Sequence, residues 1–240
     1  MYKRVILKLS GETLAPEKGR EPSKGATATF DPVRVDRAAK AIVDLADLGV
    51  QVGVVMGGGN IWRGRFTDEM NPVLADQMGM LGTVINCLCV ADALREEGLD
   101  AVVQSAVDMN RFAEPFNAMA ARRHLSEGRV VLFACGTGNP FFTTDSGAAL
   151  RALEIGADAL LKGTRVDGVY TADPEKDPTA VKYDELTFDE AISKHLKVMD
   201  QTAYALCSDG NMPIIVFDMN ATGNLTKLIK GEKVGTLVHP

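Results

Sequence analysis

A chain of 240 residues, 46% hydrophobic and 24% charged, can bury a sizeable core and stands at the upper end of what one domain holds, so one domain over residues 1–240 is the expectation. Its net charge of -6 excludes a broad basic field, and with it extended nucleic-acid binding, while leaving room for a small phosphate pocket. No apolar run reaches the ~18 residues of a membrane span, and the opening MYKRVILKLSGE turns polar too soon for a secretory signal, so no membrane partner and a cytoplasmic location are expected.

Six short runs rich in Val, Ile and Leu punctuate the chain, and continuous runs of this kind suit strands buried on both faces. The first, residues 5–9, carries Lys8 near its end and enters the turn Lys8-Leu9-Ser10-Gly11. Residues 15–30 are rich in Gly, Pro, Lys, Ser, Thr and Ala without an apolar period, and read as a mobile loop. Asp31-Pro32 has the form of an N-cap followed by proline at the first helical position, and Val35, Ala38, Ala39, Ile42, Val43 and Ala46 recur at helical spacing up to Gly49. The second strand, residues 50–56, opens onto Gly57-Gly58-Gly59-Asn60, with Arg63 close behind. Three glycines remove every Cβ from a strand-to-helix turn, letting backbone N–H groups and a helix N-terminus close on an anion. The same glycines would also serve as a tight turn and nothing more.

A helix over residues 73–97, a strand over 101–104, a helix over 112–126 and a strand over 130–134 follow. The run Thr137-Gly138-Asn139-Pro140-Phe141-Phe142-Thr143-Thr144-Asp145 then packs bends, rings, hydroxyls and a carboxylate into one stretch. Phe141 and Phe142 suit a stacking wall for a planar base or a place in the core. Thr143 and Thr144 suit phosphate, and Asp145 suits either a catalytic carboxylate or the N-cap of a helix over residues 146–155. The strand over 159–161 ends at Lys162, and residues 164–184, with Asp173-Pro174 and Asp177-Pro178, read as a long excursion from the sheet. Thr187 and Glu190 have capping-box spacing, and a strand over 214–217 follows.

This alternation predicts an α/β fold, a mostly parallel central sheet between helical layers, with its ligand crevice at the C-terminal strand ends. Lys8, Arg63 and Lys162 fall at that edge, and several cations in one place match the summed charge of a donor triphosphate and an acceptor phosphate. Neither a Walker A string nor a full GxGxxG occurs, which excludes the obvious P-loop and Rossmann signatures. Cys87, Cys89, Cys135 and Cys207 form no CxxC pair and read as buried reduced thiols. His124, His195 and His239 are scattered, so no protein-held metal site is expected and they are assigned no chemistry.

The Lys8 turn, Gly57-Gly-Gly-Asn with Arg63, Asp76 within ADQMGMLGT, the run from Thr137 to Asp145, Lys162-Gly-Thr-Arg-Val-Asp-Gly-Val-Tyr170-Thr-Ala-Asp173-Pro, and KVMD ending at Asp200 together resemble the bacterial uridylate kinases of the amino-acid-kinase family, over almost the whole chain. The resemblance implies a three-layer αβα sandwich assembled as a homohexamer. It also implies transfer of the γ-phosphoryl group of ATP, carried with Mg²⁺, to UMP, in pyrimidine nucleotide biosynthesis. ATP contacts are implied for Lys8, Leu9, Ser10, Gly11, Gly59, Arg63, Thr164, Tyr170 and Asp173. UMP contacts are implied for Gly58, Asp76, Thr137, Gly138, Asn139, Pro140, Phe141, Phe142, Thr143 and Thr144. Within that scheme Lys8 and Lys162 steady the transferring group and Arg63 grips phosphate. Asp145 orients the lysines or the hydrated metal, and Asp200 is a second candidate for the same role. Asp76 would accept from ribose hydroxyls and Tyr170 would pack on adenine.

Activation by GTP and inhibition by UTP are implied as well, although residues 15–30 depart from the loop associated with GTP in some members. Two alternatives stay open on sequence grounds. Sibling kinases for carbamate, aspartate or glutamate derivatives use the same glycine turn and lysines, and a related fold binds nucleotides or oxyanions without turnover.

Overall fold

In β1 (Arg4–Leu9), Val5, Leu7 and Leu9 pack on one face of the sheet and Ile6 on the other, all with no exposed surface. The two-residue period of the strand thereby supplies two cores. α1 (Pro32–Asp47) is capped as its sequence requires, with Asp31 accepting from the Val33 N–H at 3.0 Å and Pro32 at the first position. There follow β2 (Gln51–Met56), α2 (Pro72–Glu96), β3 (Ala101–Ser105), the short β4 (Glu114–Pro115), α3 (Ala118–Ser126) and β5 (Val130–Ala134). The chain continues through α4 (Thr144–Ile155), β6 (Ala159–Thr164), a hairpin of β7 (Val169–Tyr170) and β8 (Lys182–Tyr183), and β9 (Glu185–Thr187). It then runs through α5 (Phe188–Ser193), α6 (Gln201–Asp209), β10 (Ile214–Asp218), α7 (Asn224–Ile229) and β11 (Thr236–His239). The structure is a computed structural model that describes the chain apart from residues 1, 18, 20, 64–69, 175, 197–198 and 222.

Among the described residues a nine-stranded sheet takes the order β4-β3-β5-β2-β1-β6-β10-β11-β9, parallel throughout except between β10 and β11. One core lies between the sheet and α1, α2 and α7, the other between the sheet and α3 to α6. The chain leaves β1 toward β2 and later returns through α4 to β6 on the opposite side of β1. The topological switch point, and with it the expected crevice, therefore falls between β1 and β6. There Lys8 stands in register with Lys162. Each follows by two residues a side chain of the α4-side core, Ile6 or Leu160, so strand alternation turns both ammonium groups toward α4.

Three predicted boundaries shift for local reasons. The helix expected over 112–126 starts only at Ala118, because Pro115 holds Glu114 extended and the pair joins the sheet beside β3. Asn117 then caps α3 by accepting from the Ala120 N–H at 2.9 Å. The strand that was expected to end at Leu161 continues to Thr164, which pairs with Asp218 of β10. The glycine turn does not lead into a helix N-terminus, since α2 begins at Pro72 under an Asn71 cap. The glycines serve close packing instead: a Cβ on Gly58 would stand 2.6 Å from the Gly79 carbonyl oxygen and 3.1 Å from the Thr83 nitrogen in the middle of α2.

α2 is long and apolar enough, by length and composition alone, to cross a bilayer. Its inner side is nevertheless bonded into the fold, Asn86 donating to the Gly57 carbonyl at 2.6 Å and Thr83 accepting from the Cys135 N–H at 2.7 Å. The described part of residues 15–30 has no helix or strand and is tied at its end by the Asn60 amide, which donates to the Thr29 carbonyl at 3.0 Å. Positions 18 and 20 of that stretch lie outside the described residues.

Candidate active site

Two parallel strands deliver Lys8 and Lys162 side by side, and Asp145 from the first turn of α4 closes the gap between them. Lys8 Nζ lies 2.6 Å from Asp145 Oδ1 and Lys162 Nζ lies 2.5 Å from Asp145 Oδ2. Each lysine side chain is 12% exposed and the carboxylate 14%. Burial pushes the Asp145 carboxyl up, but the two ammonium charges and their hydrogen bonds outweigh it and hold the group below the usual carboxylate range. Burial, with the like charge of Lys8, brings Lys162 below the ordinary lysine range against the pull of Asp145. One carboxylate between two cations leaves a surplus positive charge at the mouth of the strands, aimed at whatever anion enters.

Asp145 is not the N-cap of α4. Thr143 holds that place, its Oγ1 accepting from the Asp145 N–H at 3.0 Å while donating to Asp200 Oδ2. Asp200 also accepts from Ser146 Oγ at 2.9 Å and caps α6 through the Ala203 N–H at 2.7 Å. It thus clamps the N-termini of α4 and α6 together, and its negative charge favours the protonated form of Lys162. Lys197 and Val198 of the KVMD string lie outside the described residues.

The 135–144 stretch is a string of special backbone conformations. Cys135, Gly136, Gly138 and Phe141 all have positive φ, the last at 70°, and two of them are not glycine. Two of its bonds come from neighbouring helices. Arg151, buried on α4, donates to the Gly136 carbonyl at 3.2 Å, and Asp76 on α2 accepts from the Phe141 N–H at 2.7 Å. Phe141 and Phe142 are 75% and 49% exposed, so neither belongs to the core.

A cavity of about 820 Å³ opens over the lysine centre. All five residues expected to act on the reaction, Lys8, Arg63, Asp145, Lys162 and Asp200, line it. Of the expected acceptor contacts, Gly58, Asp76, Thr137, Asn139, Phe142, Thr143 and Thr144 line it, whereas Gly138, Pro140 and Phe141 do not. Of the expected donor contacts, Gly59 joins Lys8 and Arg63 on the wall. Arg63 spans the two glycine turns, donating to the Gly59 carbonyl at 3.1 Å and pairing with Glu12.

The remaining donor contacts lie elsewhere. The Leu9 side chain is in the core, and neither Ser10 nor Gly11 lines the cavity. Thr164 bonds within its own turn to Val166, the Tyr170 hydroxyl donates to Asp167 at 2.6 Å, and Asp173 faces Lys176 at 3.4 Å. The 164–184 excursion, whose position 175 is outside the described residues, is not part of this cavity wall.

Several wall residues carry no signal that composition or spacing reveals. Trp62 presents a buried indole N–H with no hydrogen-bond partner among the described residues. Tyr204 stands near Asp145, its hydroxyl pushed up to about 12, chiefly by burial. His195, scattered by sequence, joins Leu196 and Met199 at the α5–α6 end.

The chain that builds this arrangement is similar to known proteins. The sequence fits the amino acid kinase family over residues 3–218. The chain belongs to the amino acid kinase family. It is 51% identical to the uridylate kinase of Parabacteroides distasonis, covering 99% of this chain and 98% of that protein, and 52% identical to the uridylate kinase of Porphyromonas gingivalis, covering 99% and 97%. The crystal structure of UMP kinase from Bacillus anthracis superposes with a TM-score of 0.92 at 38% identity, covering 99% of this chain and 96% of that one. Membership in the amino acid kinase family agrees with the three-layer architecture.

Proposed function

We propose that this chain is a uridylate kinase, an ATP-dependent phosphotransferase that converts ATP and UMP to ADP and UDP. The observation that carries the reading is the buried Lys8–Asp145–Lys162 centre beneath a cavity whose far wall is the Asp76 and 137–144 surface. Full-length relatives named uridylate kinase support it. A phosphomonoester has a second pKa of about 6, so the UMP phosphate is already largely ionised near neutrality and needs no general base. The task left to the protein is alignment and charge stabilisation. Lys8 and Lys162 neutralise charge on the transferring group, Asp145 fixes both ammonium groups, and Arg63 takes phosphate between the glycine turns. Asp76 and the 137–144 loop hold the acceptor nucleoside, while Thr164, Tyr170 and Asp173 reach the donor from outside the cavity wall.

The residues fit a Mg²⁺ ion that travels on the nucleotide. Both Asp145 oxygens are taken by lysines, and among the described residues no three His, Cys, Asp or Glu side chains gather as a cage. The ion supplies neutralisation of phosphate charge, and Lys8, Lys162 and Arg63 supply the rest.

The same proposal includes a role in pyrimidine nucleotide synthesis in the cytoplasm, control by GTP as activator and UTP as inhibitor, and a homohexamer. Assembly has a physical support: Leu74, Met78, Leu81, Ile85 and Leu88 form an exposed apolar stripe along α2, at alternating four- and three-residue steps. Leu81→Lys should shift the mass read by light scattering to a smaller species.

The reaction is tested by ADP release from Mg-ATP with UMP, CMP, AMP, carbamate, aspartate and N-acetylglutamate offered in parallel. Turnover confined to UMP is expected. Turnover with another acceptor would reassign the cavity, and binding without turnover would make it a storage or sensing site.

A further inference from the structure

Asn86 sits in an otherwise apolar reach of α2, beside Cys87, Val90 and Ala91, and is fully buried. Its amide is completely used. Nδ2 donates to the Gly57 carbonyl at 2.6 Å and to Asn60 Oδ1 at 2.8 Å, and Oδ1 accepts from Asn60 Nδ2 at 3.1 Å. Asn60 Nδ2 also reaches the Thr29 carbonyl at 3.0 Å. The pair thus joins α2, the second glycine turn and the end of the 15–30 stretch.

The first glycine turn rests on the same two side chains. A Cβ on Gly11 would collide with Asn60 Oδ1 and stand 2.6 Å from the Gly57 carbonyl oxygen and 2.9 Å from Asn86 Nδ2. The turns are further laced by the Gly57 N–H, which donates to the Leu9 carbonyl at 2.8 Å. Neither asparagine lines the cavity, and the Asn86 amide is spent on Gly57 and Asn60. A buried amide is costly unless every polar atom is met, and a core position on a helix would ordinarily be filled by an apolar side chain. Here the amide links two loops whose carbonyls no apolar side chain could hold.

We infer that the Asn60–Asn86 pair is a positioning element that sets the Gly11 turn and the Gly57–Gly59 turn in register and thereby aligns the phosphates of the donor. The inference rests on the proposed phosphoryl transfer. It acts on the donor side in particular, because Gly58, on the acceptor side, is fixed separately by its packing against Gly79 and Gly82. Misplacing a reacting group by about 1 Å costs on the order of a hundredfold in rate, and a loosened turn costs part of that.

The test uses Asn86→Ala and Asn60→Asp in the full chain. Asn60→Asp retains the acceptor for Asn86 Nδ2 while removing both bonds that Asn60 donates. The expected result for each is a kcat lower by about tenfold or more at a temperature well below melting. Calorimetry should show binding of Mg-ATP weakened by a similar factor, and binding of UMP changed less than about twofold. Folded variants that keep kcat and Mg-ATP affinity would overturn the inference. So would a parallel loss of both nucleotides that tracks a lower melting temperature, or failure of both variants to fold, since each makes the pair a stability element only. Should Asn86→Ala alone misfold, Asn60→Asp decides. Absence of UMP turnover in the unaltered chain would sink the reaction, not the positioning, which the Mg-ATP affinities of the variants still report.

Discussion

Lys8 and Lys162 owe their places to strand register, whereas Phe141, on the loop before α4, has a backbone at positive φ whose N–H donates to Asp76. The lysine centre is buried and its two cations share one carboxylate, so any change there alters the charge of a poorly solvated place. The 137–144 loop is capped and hydrogen-bonded but nowhere buried, so changes there leave groups that water can serve. The comparison teaches which part of the site is bound to the sheet and which is not: the lysine floor is an extension of the strands, and the 137–144 wall is a loop held by its own hydrogen bonds and by Asp76 and Asp200.

The sharpest way to break this contrast is Lys162→Met. Loss of one cation aimed at the transferring group should lower kcat by two orders of magnitude or more, by analogy with the ~3 kcal/mol of a lost oxyanion donor. The apolar stem still fills its place, and circular dichroism should report an intact fold. Near-normal turnover would remove Lys162 from the chemistry.

Asp145→Asn should lower kcat comparably, and its pH dependence isolates the charge. The folded carboxyl lies below its ordinary value of 3.8, so the stability contributed by its ionised form is fully present above that value and is lost as the pH falls through the folded value. The difference in melting temperature between the parent and Asp145→Asn should therefore be widest near neutrality and shrink below about pH 4. A difference that stays constant down to pH 2 would mean that packing, not charge, sets the cost.

On the loop side, Asp76→Ala removes the acceptor of the Phe141 N–H and the candidate ribose ligand together. The KM for UMP should rise about tenfold with a smaller change in kcat. Equal losses in both would move Asp76 to the chemistry. Thr143→Ala removes the α4 cap and one arm of the Asp200 clamp, for which about 1 kcal/mol of stability is expected by chemical denaturation.

The contrast also explains what the sequence could disclose. Periodicity found the six long strands because each is a continuous apolar run, and strand alternation then fixed the side to which Lys8 and Lys162 point. The Asp31 cap and the Thr187–Glu190 capping box were legible because both are local hydrogen-bond chemistry. Asp145 stayed open between a cap and a site carboxylate because Thr143, two residues earlier, offers the same capping chemistry and the lysines that claim Asp145 lie in distant strands. The same limit hid Asn86: an amide within an apolar helical pattern reads as a tolerated polar residue until Gly57 and Asn60 are brought to it. Trp62, His195 and Met199 reach the cavity only through tertiary packing. The β4 strand escaped because two residues carry no period.

The smallest effect expected is also the most discriminating for the loop. Phe141 stands at φ 70° with its ring 75% exposed, so Phe141→Gly relieves left-handed strain of about 1–2 kcal/mol. It forfeits about 0.5–1 kcal/mol of chain entropy and loses little burial. A net gain of several tenths of a kcal/mol, or about 2 °C in Tm, is expected for a chain of this length. The ring does not line the cavity of this form, so an unchanged KM for UMP is the outcome if the loop keeps its present conformation with acceptor bound. A rise in that KM of more than about threefold would mean that the loop turns Phe141 onto the base, since only direct contact with the ligand would let an exposed, strained ring contribute binding energy. The acceptor wall would then be a moving part, in contrast to the fixed lysine floor beneath it.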